Sequence, residues 1–380
     1  MKHYDYIFTG AGLSALLMVY KMVQSGKFDD KSILLIDENP KKSNDRTWCF
    51  WEKGKGKWDK ITTQKWQYAS FANADFRCKL DLLPYEYKMV RGIDFYNKIF
   101  KRFETAINVT FVNEKVIEYH ESADGVVVQS TAGFFSCKKL FNSIYNPELA
   151  RKQEKYPLIQ QHFIGWLVKS ETVVFDPNVP TFMDFSVEQK GNTRFMYVLP
   201  VSNTEALIEY TLFSKDLLST EEYESEIKNY LKKQNIVNYE ILEKEKGSIP
   251  MTAYKFWQNN TKNILNIGTS GGWTKASTGY TFRNSDKKSS QLIEFLQTES
   301  DFSKFHKKTK FWFYDLLLLD ILSEKNEKGA AIFSSLFQKG NPALIFKFLD
   351  EETTFWEDLQ VIWKCPKGLF IKALLGRLFP

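Results

Sequence analysis

Residues 4–15 read Tyr4-Asp5-Tyr6-Ile7-Phe8-Thr9-Gly10-Ala11-Gly12-Leu13-Ser14-Ala15, a strand-like run that turns through two glycines into a helical pattern. Gly10 suits a tight turn, Gly12 lets the backbone approach a pyrophosphate at the helix N-terminus, and Ala15 takes the position that packs the helix on the strand. A second strand-like run, 32–36, ends at Asp37, whose carboxylate can accept hydrogen bonds from adenosine ribose hydroxyls. This order predicts a βαβ unit that binds a dinucleotide lacking a 2′-phosphate. The alternative for the glycines is a plain tight turn.

A second glycine-rich turn, Gly268-Thr269-Ser270-Gly271-Gly272, follows the apolar run 263–267. Shortly after it, the stretch 277–280 is expected to start a helix whose amides face a flavin ring. The first unit alone fits either NAD or FAD, but a strand that returns to the nucleotide so late in the chain favours FAD. The candidate cofactor-binding residues of this segment are Gly268, Gly271, Gly272, Thr278 and Gly279.

The order of the elements predicts an α/β protein with a Rossmann-type FAD-binding flavoprotein fold, an antiparallel β substrate domain and C-terminal helices. The antiparallel part is indicated by short alternating segments between 160 and 209, separated by prolines and a glycine. The predicted divisions are 1–150 (FAD-binding domain, first part), 151–245 (antiparallel β substrate domain), 246–300 (return segment of the FAD-binding domain) and 301–380 (helical region closing a substrate tunnel).

The composition is that of a globular protein with a sizeable core, since 43% of the 380 residues are hydrophobic. The four cysteines and four histidines show no disulfide or metal-ligand spacing, so we expect no metal and a reducing, intracellular compartment. The net charge of +6 comes from mixed charges without a basic block, which argues against a nucleic-acid partner. Neither a signal peptide nor a membrane-spanning run is apparent, so we expect a cytoplasmic protein.

The C-terminal stretch 364–379 interleaves basic and apolar residues. Its basic members are Lys364, Lys367, Lys372 and Arg377. This pattern is typical of an amphipathic helix on a membrane surface, and equally of a terminal helix docked on the core. The first interpretation predicts peripheral association with the inner face of the cell membrane.

Aromatic residues make up 16% of the chain and cluster at 48–51, 311–314 and 346–356. Such clusters can line a site for a large apolar ligand, where ring faces stabilise a carbocation, or they can simply form core. Glu209 stands alone among apolar neighbours in the strand-like run 207–211. If desolvated it can act as a general acid, and the alternative is a solvated strand carboxylate.

Several longer stretches carry a resemblance to a known family. They are Asp45-Arg46-Thr47-Trp48-Cys49-Phe50-Trp51, Gln161-His162-Phe163-Ile164-Gly165-Trp166, Phe182-Met183-Asp184-Phe185, Leu207-Ile208-Glu209-Tyr210-Thr211, Gly247-Ser248-Ile249-Pro250-Met251, Gly271-Gly272-Trp273, Thr278-Gly279-Tyr280-Thr281-Phe282 and Phe346-Lys347-Phe348-Leu349-Asp350. In these stretches the chain closely resembles bacterial lycopene β-cyclases, and the resemblance spans nearly its whole length.

The resemblance implies cyclisation of the ends of lycopene to β-ionone rings without net oxidation, giving β-carotene by way of γ-carotene. It implies an isomerase that requires FAD in its reduced form, with NAD(P)H as the reductant and acyclic carotenoids as substrates. Glu209 matches the family's catalytic glutamate. Arg46 matches the family's Asp-Arg-Thr-Trp pattern and is a candidate for holding a phosphate or the flavin edge, or for an ion pair with Asp45.

Two positions depart from what relatives or other flavoproteins carry. Tyr210 stands where many relatives have a second acid, which leaves the proton donor open, and Thr269 stands where many flavoproteins have a ribityl-binding aspartate. Two other functions stay open. A redox flavoprotein, such as a hydroxylase or desaturase of an apolar substrate, would change the product mass, and a non-catalytic flavin- or isoprenoid-binding protein would tolerate Glu209→Gln.

Overall fold

The computed structural model describes residues 1–379 as three β-sheets and a set of helices. The strands are β1 (Lys2–Thr9), β2 (Ile33–Asp37), β3 (Thr47–Lys53), β4 (Gln64–Trp66), β5 (Tyr68–Ala72), β6 (Arg77–Asp81), β7 (Tyr85–Arg91), β8 (Val109–Asn113), β9 (Val116–Ser122), β10 (Gly125–Ser130), β11 (Gly133–Asn142), β12 (Leu158–Ser170), β13 (Thr181–Asp184), β14 (Thr193–Pro200), β15 (Glu205–Ser214), β16 (Tyr239–Thr252) and β17 (Ile264–Asn266). The helices are α1 (Leu13–Ser25), α2 (Gly92–Phe103), α3 (Glu148–Arg151), α4 (Thr220–Lys233), α5 (Phe282–Thr298), α6 (Lys310–Glu324), α7 (Gly329–Lys339), α8 (Pro342–Leu349), α9 (Phe355–Ile362) and α10 (Lys367–Leu378). Short 3₁₀ turns lie at Asp59–Ile61, Phe256–Asn259, Gly268–Gly271, Phe302–Lys304 and Asn326–Lys328.

The first sheet carries both glycine turns. Its order is β8-β2-β1-β11-β10-β9, with β17 paired to the second half of β11. The neighbouring pairs among β8, β2, β1, β11 and β17 are parallel, so the carboxyl ends of these strands meet at one edge. β2 is buried on both faces, which explains its continuous apolar run. The predicted βαβ unit of β1, α1 and β2 is confirmed.

The second sheet has the order β16-β12-β15-β14-β13-β5-β6 and is antiparallel except for the parallel pair β13–β5. Side chains alternate between its two faces, as in any strand. On β15, Ile208 and Tyr210 pack with residues of α4, whereas Leu207 and Phe213 pack with residues of α6, α7 and α8. The sheet therefore separates a closed outer core from an inner face covered by the C-terminal helices.

A buried cation ties these helices to the second glycine turn. The Lys275 ammonium lies 2.9 Å from the Asp315 carboxylate on α6 and 3.0 Å from the Glu351 carboxylate just after α8. Lys275 is only 3% exposed, so both ion pairs form in a largely water-excluded site. Because a buried charge must keep its partners, the position of α6 and α8 is coupled to that of the turn.

The predicted domain divisions stay a prediction, and the sheets cross two of their boundaries. β5 and β6 belong to the second sheet although they lie within 1–150, and β16 continues past residue 245. The remaining strands of this region, β3, β7 and β4, form a small third sheet. Among residues 1–379, no helix combines the length and the apolar character needed to cross a membrane.

The third sheet is organised around Lys88, a fully buried lysine of β7. Its ammonium lies 2.6 Å from the Asp59 carboxylate and 3.0 Å from the Glu52 carboxylate, and it donates to the Gly54 carbonyl at 2.9 Å. We predict that Lys88→Met, which leaves both carboxylates without their cation, lowers the free energy of unfolding by about 3 kcal/mol in urea denaturation at neutral pH.

Lys2→Met is the matched control, because Lys2 is exposed on β1 and forms no ion pair among the described residues. We expect its effect to stay within about 0.5 kcal/mol. Equal urea midpoints for the two variants would show that the buried ion pairs do not stabilise this sheet.

Candidate active site

The first glycine turn has the geometry of a phosphate cradle. Gly10 has φ +84°, and a Cβ there would lie 2.5 Å from Ser143 Oγ, so only glycine fits. Gly12 is the N-cap residue of α1 and has no side chain that could bond to the helix amides. A Cβ added to Gly12 would meet no other described atom within 4 Å. The first amides of α1 therefore face open space, as binding of a pyrophosphate requires. Ala15 is fully buried in α1.

Asp37 lies at the end of β2, beside this turn. Its carboxylate accepts hydrogen bonds from the Ala11 amide at 2.5 Å and the Asn39 amide at 2.7 Å, and it pairs with the Lys41 ammonium at 3.3 Å. The carboxylate thus lies at the glycine turn, where the sequence predicts it. Its contact with a ribose stays a prediction.

The second glycine turn packs directly on the first unit. Gly268 and Gly272 have φ +61° and +68°, and Gly271 has no room for a Cβ, which would lie 2.1 Å from the Asn266 carbonyl oxygen. A Cβ on Gly268 would lie 3.0 Å from the hydroxyl of Ser14 on α1. The structure therefore brings together the two turns that the sequence places far apart.

The expectation that 277–280 starts a helix is wrong. These residues form a turn in which the amides of Thr278 and Gly279 donate to the Lys275 carbonyl, and α5 begins only at Phe282. The reason is Gly279, whose φ of +73° is incompatible with a right-handed helix. The Thr278 hydroxyl is buried without a hydrogen-bond partner among the described residues and belongs to a residue that lines the main cavity, so it is available to a ligand.

Arg46 adopts the second of its two predicted arrangements. Its guanidinium lies 3.3 Å from the Asp45 carboxylate, and its side chain is 57% exposed. Both residues line the main cavity, so Arg46 keeps its place as a candidate cofactor residue.

The main cavity, of about 710 Å³, lies between the inner face of the second sheet and the C-terminal helices, and it reaches the second glycine turn at Thr269. Its size is within the range of pockets that enclose whole ligands. Each predicted aromatic cluster supplies part of the lining. The contributing members are Trp48, Trp51, Phe313, Tyr314, Phe346 and Phe348. Other members serve the core instead: Phe50, for example, stacks on Phe282 with ring centroids 4.5 Å apart.

Glu209 faces this cavity from β15 and is 7% exposed, which excludes the alternative of a solvated strand carboxylate. Burial raises the pKa of its carboxyl well above the ordinary range, and a hydrogen bond to Glu245 and the charge of Glu245 raise it further. Burial and the neighbouring acid therefore favour the protonated form of Glu209. A buried, protonated carboxyl in an apolar cavity is a general acid.

Glu245 is a site residue that the sequence does not reveal. Gly165 of β12 pairs with Glu209 on one side and with Glu245 of β16 on the other. A Cβ on Gly165 would lie 2.8 Å from Glu209 Cγ and 3.1 Å from Glu245 Cγ, so glycine makes room for the two carboxyl groups to meet. Residues 243–246 alternate acidic and basic residues, which is typical of a solvated strand. Only the register of three strands identifies Glu245.

Tyr210 does not replace a second acid in this cavity. It belongs to the opposite face of the sheet, where its hydroxyl accepts a hydrogen bond from Arg194 at 3.3 Å and its ring packs edge-on against Tyr223. An acid at position 210 of this chain would therefore lie on the outer face, away from Glu209.

A group of buried phenols lies beside the two glutamates. The hydroxyl of Tyr87 is hydrogen-bonded to those of Tyr197 and Tyr280, the latter at 2.7 Å. Burial raises the pKa of all three, so they stay neutral and present ring faces and hydroxyl dipoles rather than charge. Tyr197 and Tyr280 line the cavity together with Glu209.

Flavoproteins of known structure share this fold. The chain superposes on a flavoprotein/dehydrogenase from Cytophaga hutchinsonii with a TM-score of 0.60 at 12% identity, covering 98% of this chain and 100% of that chain. It superposes on a mutant of the halogenase PltM in complex with FAD with a TM-score of 0.56 at 11% identity, covering 91% and 78% of the two chains. At this identity the likeness is one of fold, and the predicted flavoprotein fold is confirmed.

Sequence comparison assigns the family. A family model described as "Lycopene cyclase protein" matches residues 5–374, so the chain belongs to the lycopene cyclase family. A protein described as lycopene beta-cyclase from Pantoea ananas is 26% identical over 291 residues, which are 73% of this chain and 71% of that protein. The family predicted from the sequence motifs is confirmed.

The open space at Gly12 generates a test of cofactor binding. We predict that Gly12→Val lowers affinity for FAD about tenfold or more, because the added methyl groups occupy the space in front of the α1 amides. The fold tolerates the change, since Gly12 has extended backbone dihedrals and open space around it. The measurement is FAD binding to purified protein by flavin absorbance, with the thermal midpoint recorded in parallel.

Gly376→Val is the matched control, because a Cβ at Gly376 of α10 also meets no described atom within 4 Å. We expect it to bind FAD like the unaltered protein. Undiminished binding by Gly12→Val would place the pyrophosphate elsewhere.

Proposed function

We propose that this chain cyclises the acyclic ends of lycopene to β-ionone rings, giving β-carotene by way of γ-carotene. The observation that carries this proposal is the buried Glu209 carboxyl at the wall of an apolar, aromatic-lined cavity. Membership of the lycopene cyclase family supports the same activity. The reaction class is an isomerisation, because the ring closes without a change in composition.

The chemistry follows from the state of Glu209. Its protonated carboxyl transfers a proton to a terminal alkene carbon, so an O–H bond breaks, a C–H bond forms and a tertiary cation appears. The neighbouring alkene closes on that cation, and loss of one ring proton restores a double bond. One proton enters and one leaves, so neither mass nor oxidation state changes. Ionised Glu209 and the ring faces of Trp51 and Tyr280 then stabilise the cation.

The cofactor we propose is FAD in its reduced form, with NAD(P)H as the reductant. Gly10, Gly12 and the α1 amides would hold the pyrophosphate, Asp37 the ribose, and the second glycine turn with Ser277 and Thr278 the flavin end. The open space at Gly12 and the unpartnered Thr278 hydroxyl fit such a group. When bound, a reduced, anionic flavin supplies negative charge beside a cationic intermediate.

We also propose that the protein is cytoplasmic and takes its substrate from the inner face of the membrane. α10 is held to α6 by the ion pair of Arg377 with Asp320, so the docked-helix interpretation holds for one of its faces. Its other face is exposed and apolar and is continuous with α9. The exposed members are Phe355, Trp356, Leu359, Trp363, Ile371, Leu375, Leu378 and Phe379.

This exposed surface borders the main cavity, whose lining includes Val361 and Ile362 of α9 and Phe370 and Leu374 of α10. Exposed tryptophans with neighbouring lysines are typical of proteins that contact anionic lipid surfaces. A hydrocarbon substrate could therefore pass from lipid into the cavity without crossing water.

The pigment content of lycopene-making bacterial cells tests the activity. We expect cells that also make this chain to accumulate an isomer of unchanged mass with the retention of β-carotene, and Glu209→Gln to lower ring formation about a hundredfold or more. The measurement is chromatography with mass and absorption spectra. Glu188→Gln, at an exposed position of the same domain, is the control and is expected to act like the unaltered chain.

Three other results of this experiment would contradict the proposed function or the role of Glu209. A mass change would indicate redox chemistry on an apolar substrate. Unchanged lycopene beside folded, flavin-bound protein would indicate a different substrate or a binding protein, and full activity of Glu209→Gln would remove Glu209 from the reaction.

Partition onto vesicles tests the membrane contact. We predict that Trp356→Ala combined with Trp363→Ala, at side chains that are 73% and 68% exposed, lowers binding to anionic phospholipid vesicles about tenfold or more. Ile107→Ala, at an even more exposed apolar residue far from α9 in sequence, is the control and should bind like the unaltered protein. Equal partition of all three proteins would contradict the proposed surface.

A further inference from the structure

A second, smaller cavity of about 190 Å³ lies on the far side of Glu245. Its lining includes the polar and charged side chains of Thr47, Arg91, Glu205 and Glu243 beside the apolar ones of Met89, Leu167, Val201 and Leu207. It communicates with solvent, because the side chains of Glu243 and Lys244 at its wall are 41% and 52% exposed. A cavity of this volume, open to solvent and with charged groups in its wall, has room for several water molecules.

Glu245 belongs to the walls of both cavities, whereas Glu209 lines the apolar one alone. The Thr47 hydroxyl, also shared by both walls, donates to Glu245 Oε2 at 2.9 Å and fixes that oxygen. The other side of the Glu245 carboxyl meets Glu209 across Gly165. Glu245 is therefore the polar connection between outer water and the buried acid.

No cation lies within ion-pair distance of Glu245 among the described residues, since Arg91 pairs with Glu243 instead. Two carboxyl groups in contact form a hydrogen bond only when a proton lies between them, so the contact of Glu209 with Glu245 gives that proton an oxygen on either side.

We propose that Glu245 relays protons between the water of the outer cavity and Glu209. This inference rests on the proposed function, since a relay is needed only if a hydrocarbon fills the apolar cavity and excludes water from Glu209. The outer water gives a proton to the Glu245 carboxylate, Glu245 passes a proton to Glu209, and Glu209 passes its own to the alkene. The ring proton lost at the end returns to the pair and leaves by the same path, so the balance closes. Glu245 also lines the apolar cavity, and its role in this scheme is to relay protons to Glu209, which acts on the alkene.

The test is exchange of the buried carboxyl proton with deuterium, followed by infrared spectroscopy of the flavin-bound protein after transfer to D₂O. In the unaltered chain we expect the C=O stretching band of a protonated carboxyl to shift in frequency soon after transfer, because its proton exchanges rapidly for deuterium. In Glu245→Gln we expect the band to persist, because Glu209 stays buried, and to exchange about a hundredfold more slowly. Glu209→Gln should lose the band, which assigns it.

Glu240→Gln is the matched control, since Glu240 lies on the same strand, is exposed and lines neither cavity. It should exchange like the unaltered chain.

Glu245→Asp keeps a carboxyl one methylene shorter and should restore much of the exchange rate, which a merely structural role would not do. If Glu245→Gln does not fold, Glu245→Asp is compared with the unaltered chain in its place. Equal exchange in Glu245→Gln and the unaltered chain, or no recovery in Glu245→Asp, would overturn the relay.

A second readout links the relay to the reaction. With lycopene in D₂O, the unaltered chain should place one deuterium in each ring. In Glu245→Gln the returned proton is reused before it exchanges, so the deuterium content per ring should fall well below one. Full labelling by Glu245→Gln would contradict the relay. Failure of the unaltered chain to cyclise lycopene would overturn the proposed function instead, and the infrared exchange would still decide the role of Glu245.

Discussion

The two glycine turns depend on one buried amide, that of Asn142 at the end of β11. Its oxygen accepts a hydrogen bond from the Thr9 hydroxyl at 3.0 Å, and its NH₂ group donates to Asn266 Oδ1 at 2.9 Å and to the Ser270 hydroxyl at 3.1 Å. Thr9 precedes the first turn, and Ser270 lies within the second. Because a buried amide that loses a partner costs about 1–3 kcal/mol, this network fixes both turns at the same edge of the sheet.

The second sheet places its chemistry by the alternation of its side chains. Glu209 and Tyr210 are adjacent on β15, but Glu209 faces the cavity and Tyr210 faces α4. A slip of one residue would exchange them, so the register must be strongly specified. The apolar residues on both faces provide that specification, and the contact of Gly165 with both glutamates requires the same register.

Local chemistry explains which features could be predicted from the sequence. The βαβ unit, its glycines and Asp37 could be predicted because backbone freedom, helix amides and strand ends act over a few residues. The helix expected to start within 277–280 begins only at Phe282, because Gly279 adopts a left-handed conformation that its neighbours do not reveal. Glu245 could not be found, because its neighbours alternate in charge and its partner lies on another strand. The placement of β5 and β6 in the second sheet likewise depends on tertiary pairing.

The same desolvation that keeps Glu209 protonated also selects what the cavity stabilises. An ionised carboxylate in a dry, apolar site is costly, so burial favours the neutral form of Glu209 until the substrate takes its proton. After proton transfer the carboxylate has one counter-charge at hand, the carbocation it has just produced, and their attraction is strong because water is excluded. An arginine beside Glu209 would have removed this difference by holding the carboxylate ionised from the start. Glu245 is an acid and supplies no positive charge to Glu209. The two glutamates therefore stabilise the carbocation and not the neutral substrate.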